Sequence, residues 1–182
     1  GANISEVDSC YWLIDPLDGT KEFLANSRDF TVNIALVEGG VSCLGVVFAP
    51  AFDTLYWGGP GLGAYKRVGR DTVEIQVSDP LRVRPYRVVA SKSHLNSETR
   101  EFITRLGEVR FIQRGSSLKF CLLAEGLADI YPRLAPTHEW DTAAAQAILE
   151  GAGGSVLTLS GEPLGYGKPK FLNSPFVAVA NK

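Results

Sequence analysis

The segment Trp12-Leu13-Ile14-Asp15-Pro16-Leu17-Asp18-Gly19-Thr20 sets two carboxylates three positions apart, at the end of an apolar run. Two acids held close by a stiff turn repel each other unless a cation lies between them. Carboxylate oxygens suit Mg²⁺ or Mn²⁺, which take one or two such ligands plus water and phosphate oxygens. Gly19 and Thr20 follow, and Lys21 to Leu24 can start a helix whose free N–H groups would attract an anion. One turn can thus serve a metal and a phosphate together. The plainer alternative is a turn in which Asp18 only caps the helix.

A second acidic segment is His138-Glu139-Trp140-Asp141-Thr142-Ala143-Ala144-Ala145. Asp141 stands where an Ala-rich helix should begin, so it reads as an N-cap, as a metal ligand, or as both at once through its two oxygens. Basic residues lie between the acidic segments. Ser91-Lys92-Ser93-His94 follows one expected strand, and Arg114-Gly115-Ser116-Ser117-Leu118-Lys119 precedes an expected helix. Gly and Ser N–H groups at a helix start, with a Lys one turn along, have phosphate-site chemistry. Arg133, after Tyr131-Pro132, would add a bidentate fork. Taken singly, each of these cations also reads as a solvated surface charge.

The elements that must position these residues follow from apolar period and turn signals. Tyr11 to Ile14 reads as a buried strand that delivers Asp15, with Pro16 holding the chain extended. Phe30 to Val37 alternates as a strand, and Glu38-Gly39-Gly40 turns it into a return strand over 41–48. Two more short strands flank the Gly58-Gly59-Pro60-Gly61 turn. Past Asp79-Pro80 the pattern changes. Strands are expected over 86–90, 109–112 and 127–131, alternating with helices over 97–106, 117–124 and 142–150. Two lobes are therefore expected: a meander-rich one over 1–81 and a smaller α/β one over 82–182.

The acid–turn segment, extended through Lys21-Glu22-Phe23, resembles the signature of the lithium-sensitive, metal-dependent phosphatases of the inositol monophosphatase superfamily. The ordered set Ser-Lys-Ser-His, Gly-Ser-Ser-Leu-Lys-Phe, Tyr-Pro-Arg and Trp-Asp resembles its 3'(2'),5'-bisphosphate nucleotidase branch. The resemblance implies an α+β / α/β fold, a layered α-β-α-β-α sandwich of the sugar-phosphatase type. It also implies roles. Asp15 would bridge two metals, the Leu17 carbonyl would bind the first, and Asp18 and Asp141 would hold the second. Asp18, Gly19 and Thr20 would grip the phosphate. His94, Gly115, Ser116, Lys119, Arg133 and Asp141 would surround the nucleotide and its second phosphate. Mg²⁺, two or three ions in a complete protein, is the implied cofactor, with Mn²⁺ as a substitute. Ala145 departs from the family, which usually has Gly there, and could crowd a close helix–helix or backbone approach.

The implied reaction is hydrolysis of the 3'-phosphate of adenosine 3',5'-bisphosphate to AMP and phosphate. The alternatives are an inositol phosphate or fructose 1,6-bisphosphate as substrate, or a piece that binds ligand without turnover. The resemblance places a helical, metal-binding segment ahead of the first strand in family members. A chain opening Gly1-Ala2-Asn3, with no Met, is therefore expected to begin inside the domain and to lack that segment. The water-orienting group would lie there too. Glu6 is the one nearby acid with a similar flavour, and it stands close to Asp15 with Val7 in place of a partner acid.

Composition bounds the rest. With 182 residues, 45% of them hydrophobic, the chain can bury a sizeable core. A net charge of −2 excludes a global basic field for nucleic acid. Cys10, Cys43 and Cys121 are too scattered for a zinc site or a disulfide framework, and two of them lie in apolar runs that suggest burial. A reducing cytoplasm fits, with peripheral contact at the inner membrane as the bacterial variant the resemblance allows. No apolar run approaches the ~20 residues of a membrane span.

Overall fold

The computed structural model describes residues 10–79, 85–91 and 95–180. Glu6 and His94 lie outside the described residues, as does most of the expected junction near residue 82. The first half of the chain is a six-stranded antiparallel sheet in sequential order: β1 (Cys10–Asp18), β2 (Thr31–Glu38), β3 (Val41–Ala49), β4 (Thr54–Gly59), β5 (Gly63–Val68) and β6 (Asp71–Glu74). Its hairpins follow the turn chemistry expected at Gly39-Gly40 and around Gly61. The last strand, β6, carries no apolar alternation, and all four of its residues are exposed. It pairs through its backbone, which side-chain pattern does not reveal.

The second sheet has the order β10-β11-β9-β7-β8, from β7 (Tyr86–Ala90), β8 (Val109–Gln113), β9 (Ile130–Arg133), β10 (Ser155–Thr158) and β11 (Phe176–Val179). Strand β7 runs parallel to both β8 and β9. Helix α2 (Ser97–Arg105) links β7 to β8, and α3 (Leu118–Ala124) lies between β8 and β9. These two connections run in opposite directions along the sheet, so right-handed crossovers put the helices on opposite faces. Helix α3 packs on α4 (Ala143–Gly151), and α4 packs on strands β2 to β5. The layers run first sheet, α3 with α4, second sheet, α2. One core cluster joins the first sheet, α3 with α4 and the second sheet, with Leu13, Val47, Phe120, Leu123, Ile148 and Phe176 among its members. Among the described residues no helix is long and apolar enough to cross a membrane.

The inner face of the first sheet is made of small residues where α4 lies on it. Leu13, Ala35, Gly45 and Gly58 align across β1 to β4. A Cβ at Gly45 would overlap the carbonyl oxygen of Ala144, so the helix backbone rests on the sheet backbone there. This Gly provides the close approach, and Ala145 is taken into the core at 1% exposure without crowding it. The opposite face is apolar as well: Ile14, Ile34, Val46, Trp57 and Tyr65 form one row across it.

Three local expectations are corrected. Strand β1 is not buried on both faces: it is an edge strand in which Leu13 points into the core while Trp12 and Ile14 are 57% and 59% exposed. Strand β9 starts at Ile130 and not at Leu127, because the N–H groups of Leu127 and Ala128 fold back to the Leu122 carbonyl behind α3. Asp141 does not cap α4. A separate 3₁₀ turn spans Glu139–Asp141, and Thr142 stands at the N-cap of the helix. Of the cysteines, Cys121 is buried, Cys43 is half-buried and Cys10 is exposed.

Candidate active site

The β1–β2 register slips between Asp15, opposite Asn33, and Asp18, opposite Thr31. The extra residue is a bulge, and a bulge re-aims the side chains that follow it. Pro16 gives no ladder hydrogen bond, which suits this position. The Leu17 N–H then folds back to the Asp15 carboxylate at 3.0 Å, and the Thr20 hydroxyl donates to the Leu17 carbonyl at 3.1 Å. Gly19 adopts φ +86°, and a Cβ there would lie 2.8 Å from the Asp29 carbonyl oxygen. Both the backbone conformation and the space demand glycine.

Asp18 is the most heavily bonded of the acids. Its Oδ2 accepts from the Ser117 N–H at 2.6 Å and the Ser117 hydroxyl at 2.9 Å, with Thr31 and Asn33 at 3.3 and 3.4 Å. Asp141 accepts the His138 N–H on Oδ2 at 2.8 Å. One oxygen from each of Asp15, Asp18 and Asp141 falls within 4.8 Å of the other two. Segments more than a hundred positions apart thus meet in one acidic cluster. Asp15 has its carboxyl pushed up to about 6, first by burial and then by the Asp18 and Asp141 charges, against the lowering effect of the Leu17 N–H. Asp141 is also raised, chiefly by burial. Three half-buried oxygen donors that destabilise one another's charge fit a hard divalent cation, and the Leu17 carbonyl keeps a lone pair beyond the one facing Thr20.

Two of the three acids, Asp18 and Asp141, line a cavity of about 230 Å³, whose walls also include Gly19, Thr20, Ser116, Lys119, Arg133 and Thr142. Another part of its lining is basic. Lys119 is only 6% exposed; its Nζ donates to the Ser116 carbonyl at 2.7 Å and lies 5.3 Å from the Tyr131 ring centre. Burial lowers its ammonium to about 8, with the nearby Arg133 charge acting the same way and Asp18 opposing. Two polar atoms are buried in this part without a hydrogen-bond partner: the Ser116 hydroxyl and Arg133 Nε. Ser116 also holds φ +47°. Buried polar atoms without protein partners in a cavity lined by Lys119 and Arg133 have the chemistry to receive an anion's oxygens.

Gly115 is placed differently from its expected use. Its N–H donates to the Asp29 carboxylate at 3.0 Å, and Arg114 joins the same carboxylate at 3.3 Å. The N–H groups of Gly115 and Ser117 are therefore spent on Asp29 and Asp18, and helix α3 begins only at Leu118. The side chains of Ser116, Lys119 and Arg133 carry the basic end. Asp29, Asn33 and Ser117 were not singled out from the sequence. Asp29 sits in an ordinary-looking Ser27-Arg28-Asp29 segment, and Ser117 is the second of two adjacent serines that the sequence does not distinguish.

A bulged Asp-Pro-Leu-Asp-Gly-Thr strand end facing a Trp-Asp turn defines a class. The chain belongs to the inositol monophosphatase family, which it matches over residues 1–182. Within that family it is 48% identical over 167 residues to the 3'(2'),5'-bisphosphate nucleotidase CysQ of Escherichia coli K12, covering 91% of this chain and 66% of that protein. The crystal structure of CysQ from Bacteroides thetaiotaomicron superposes with a TM-score of 0.88 at 42% identity, over 96% of this chain and 71% of the other. An inositol monophosphatase from Anabaena gives 0.78 at 29% identity, over 96% and 68%. This chain thus spans about two thirds of the length of the curated relatives it matches.

Proposed function

We propose that this protein is a Mg²⁺-dependent phosphomonoesterase that removes the 3'-phosphate of adenosine 3',5'-bisphosphate, giving AMP and phosphate. The observation that carries this reading is the polarity of one small cavity: clustered acids at one end, and a buried Lys, an unpaired Arg Nε and an unpaired hydroxyl at the other. A ligand with one phosphate needs only the acidic end with its cations. A ligand with two phosphates accounts for both ends. The greater identity to nucleotidases than to the inositol monophosphatase supports the same choice.

Asp15, Asp18, Asp141 and the Leu17 carbonyl would hold Mg²⁺, or Mn²⁺ in its place. Bound there, divalent cations supply polarisation of the phosphoryl oxygens, stabilisation of the leaving alkoxide and a more acidic bound water. The chain's own residues provide the positioning. Gly19, in its left-handed conformation, brings the Thr20 helix start against the cluster, where backbone N–H groups can receive phosphate oxygens. Asp18 ties this turn to Ser117 and so fixes the distance between the two ends. Ser116, Lys119 and Arg133 receive the second phosphate, and the desolvated ammonium of Lys119 recovers interaction energy when an anion replaces its missing water. His94 belongs to the same proposed set.

The test is phosphate release from adenosine 3',5'-bisphosphate, inositol 1-phosphate and fructose 1,6-bisphosphate, side by side with Mg²⁺. Preference for the nucleotide by kcat/KM is expected. Preference for inositol phosphate would overturn the substrate assignment, and release unaffected by chelator would overturn the metal dependence.

A further inference from the structure

Asp141 is carried on a short 3₁₀ turn and not on a strand or long helix, yet its carboxylate is held against two like charges. The turn's own backbone bonds are few: Asp141 N–H to His138 O at 3.1 Å and Thr142 N–H to Glu139 O at 3.1 Å. The Ser117 hydroxyl also donates to the Asp141 carbonyl at 3.2 Å, and further restraints come from residues that do not line the cavity. Glu139 is fully buried, an unusual place for a carboxylate. Its two oxygens accept the backbone N–H groups of Gly167 at 2.9 Å and Lys168 at 2.8 Å, and the Lys168 ammonium lies at 2.9 Å. Five residues on, Asn173 reaches the other side of the turn. Its Nδ2 lies 2.8 Å from the His138 carbonyl and 3.0 Å from the hydroxyls of both Thr137 and Thr142. The segment from 167 to 173 therefore clasps the Asp141 turn at both ends, while neither Glu139 nor Asn173 lines the cavity.

We infer that Glu139 and Asn173 are positioning residues for the acidic cluster, holding Asp141 close to Asp15 and Asp18 so that the site is formed before a cation enters. The inference rests on the proposed metal role of Asp141. Repulsion among the three carboxylates favours the turn swinging outward, and the clasp opposes that motion with a buried charge-assisted network. Residues that support metal ligands from behind typically change metal affinity by about 10–100-fold when altered. Glu139→Gln keeps the shape but presents an amide N–H₂ to donors that require an oxygen, so one side of the clasp opens.

The experiment measures Mn²⁺ binding to the chain by electron paramagnetic resonance titration, beside the melting temperature, for the parent, Glu139→Gln, Asn173→Ala and Asp141→Asn. A folded Glu139→Gln is expected to bind Mn²⁺ about 10–100-fold more weakly, and Asn173→Ala, which opens the other side, is expected to move the same way. Asn173→Ala keeps the test decisive if Glu139→Gln does not fold. Asp141→Asn should abolish the binding. If Asp141→Asn binds like the parent, or the parent takes up no Mn²⁺, the metal assignment itself is wrong. If Asp141→Asn abolishes binding while the folded clasp variants keep the parent affinity and merely melt earlier, the clasp is structural only and the inference is overturned.

Discussion

The two ends of the cavity are built on opposite principles. At the acidic end every carboxylate already has protein donors: Leu17 for Asp15, Ser117 for Asp18, His138 for Asp141. What is left unbalanced there is charge. At the basic end the charge is modest but hydrogen bonding is unfinished, with Ser116 Oγ and Arg133 Nε lacking partners. The acidic end therefore needs a cation whose identity is set by charge and hardness. The basic end needs a ligand with oxygen acceptors at defined places. The first is a general device for phosphate esters, and the second is where a particular substrate would be chosen.

The largest break in this comparison should come from Asp15→Asn. It is expected to lower metal-dependent turnover by ~10²-fold or more, the scale of losing one preorganised electrostatic group. Without metal the same variant should melt at a higher temperature than the parent, because one of three mutually repelling charges is gone. Turnover within a few-fold of the parent would remove Asp15 from the site.

Lys119→Ala tests the other end. Binding of adenosine 3',5'-bisphosphate should weaken by about 1.5–3 kcal/mol, the contribution of a charged hydrogen bond, while AMP loses less. Equal losses for both ligands by calorimetry would take Lys119 out of the specificity role.

The pH dependence follows from the same residue and has opposite signs for binding and folding. The Lys119 ammonium is lowered to about 8 by burial. Below about 8 the group is charged in both folded and unfolded chains, and its burial is unfavourable. Between about 8 and its ordinary value near 10.5 the folded chain has lost the proton while the unfolded chain retains it, so this group adds stability as pH rises. Bisphosphate affinity should fall over the lower part of that range as the charge is lost. In Lys119→Met both trends should disappear. Persistence of the affinity loss would assign it to another group.

The smallest effect belongs to Ser116→Gly. Glycine relieves the φ +47° conformation, which favours the folded chain by ~1 kcal/mol, and removes the unpaired hydroxyl. A higher melting temperature with weaker bisphosphate binding is expected. A rise in both would mean that the hydroxyl faces no ligand atom.

The Asp15–Asp18 part of the acidic end was readable from the chain because it is local. Asp15 and Asp18 share one turn, and the proline and glycine that shape it are neighbours. At the basic end the fold brings the expected side chains of Ser116, Lys119 and Arg133 to one cavity, but gives the expected backbone donors other partners. Gly115 and Ser117 have N–H groups suited to phosphate, and only the folded chain shows Asp29 and Asp18 arriving to take them. The positions of β6 and of the true start of α4 were likewise hidden. Backbone pairing and a one-residue shift of a helix start leave no mark in apolar periodicity.

By itself, the sequence determined the strand-and-turn chemistry of the Asp-Pro-Leu-Asp-Gly-Thr segment, the meander before residue 79 and the strand–helix alternation after residue 85. These depend on side-chain period and on φ limits imposed by Gly and Pro, which act over a few residues. The tertiary structure alone decided that Asp141 meets Asp15 and Asp18, and that a buried Glu139 holds it there. It also decided that Ser116 and Arg133 keep unpaired atoms in the cavity. Those facts depend on which distant donors and acceptors come within hydrogen-bonding distance, and that is set by the packing of two sheets around α3 and α4.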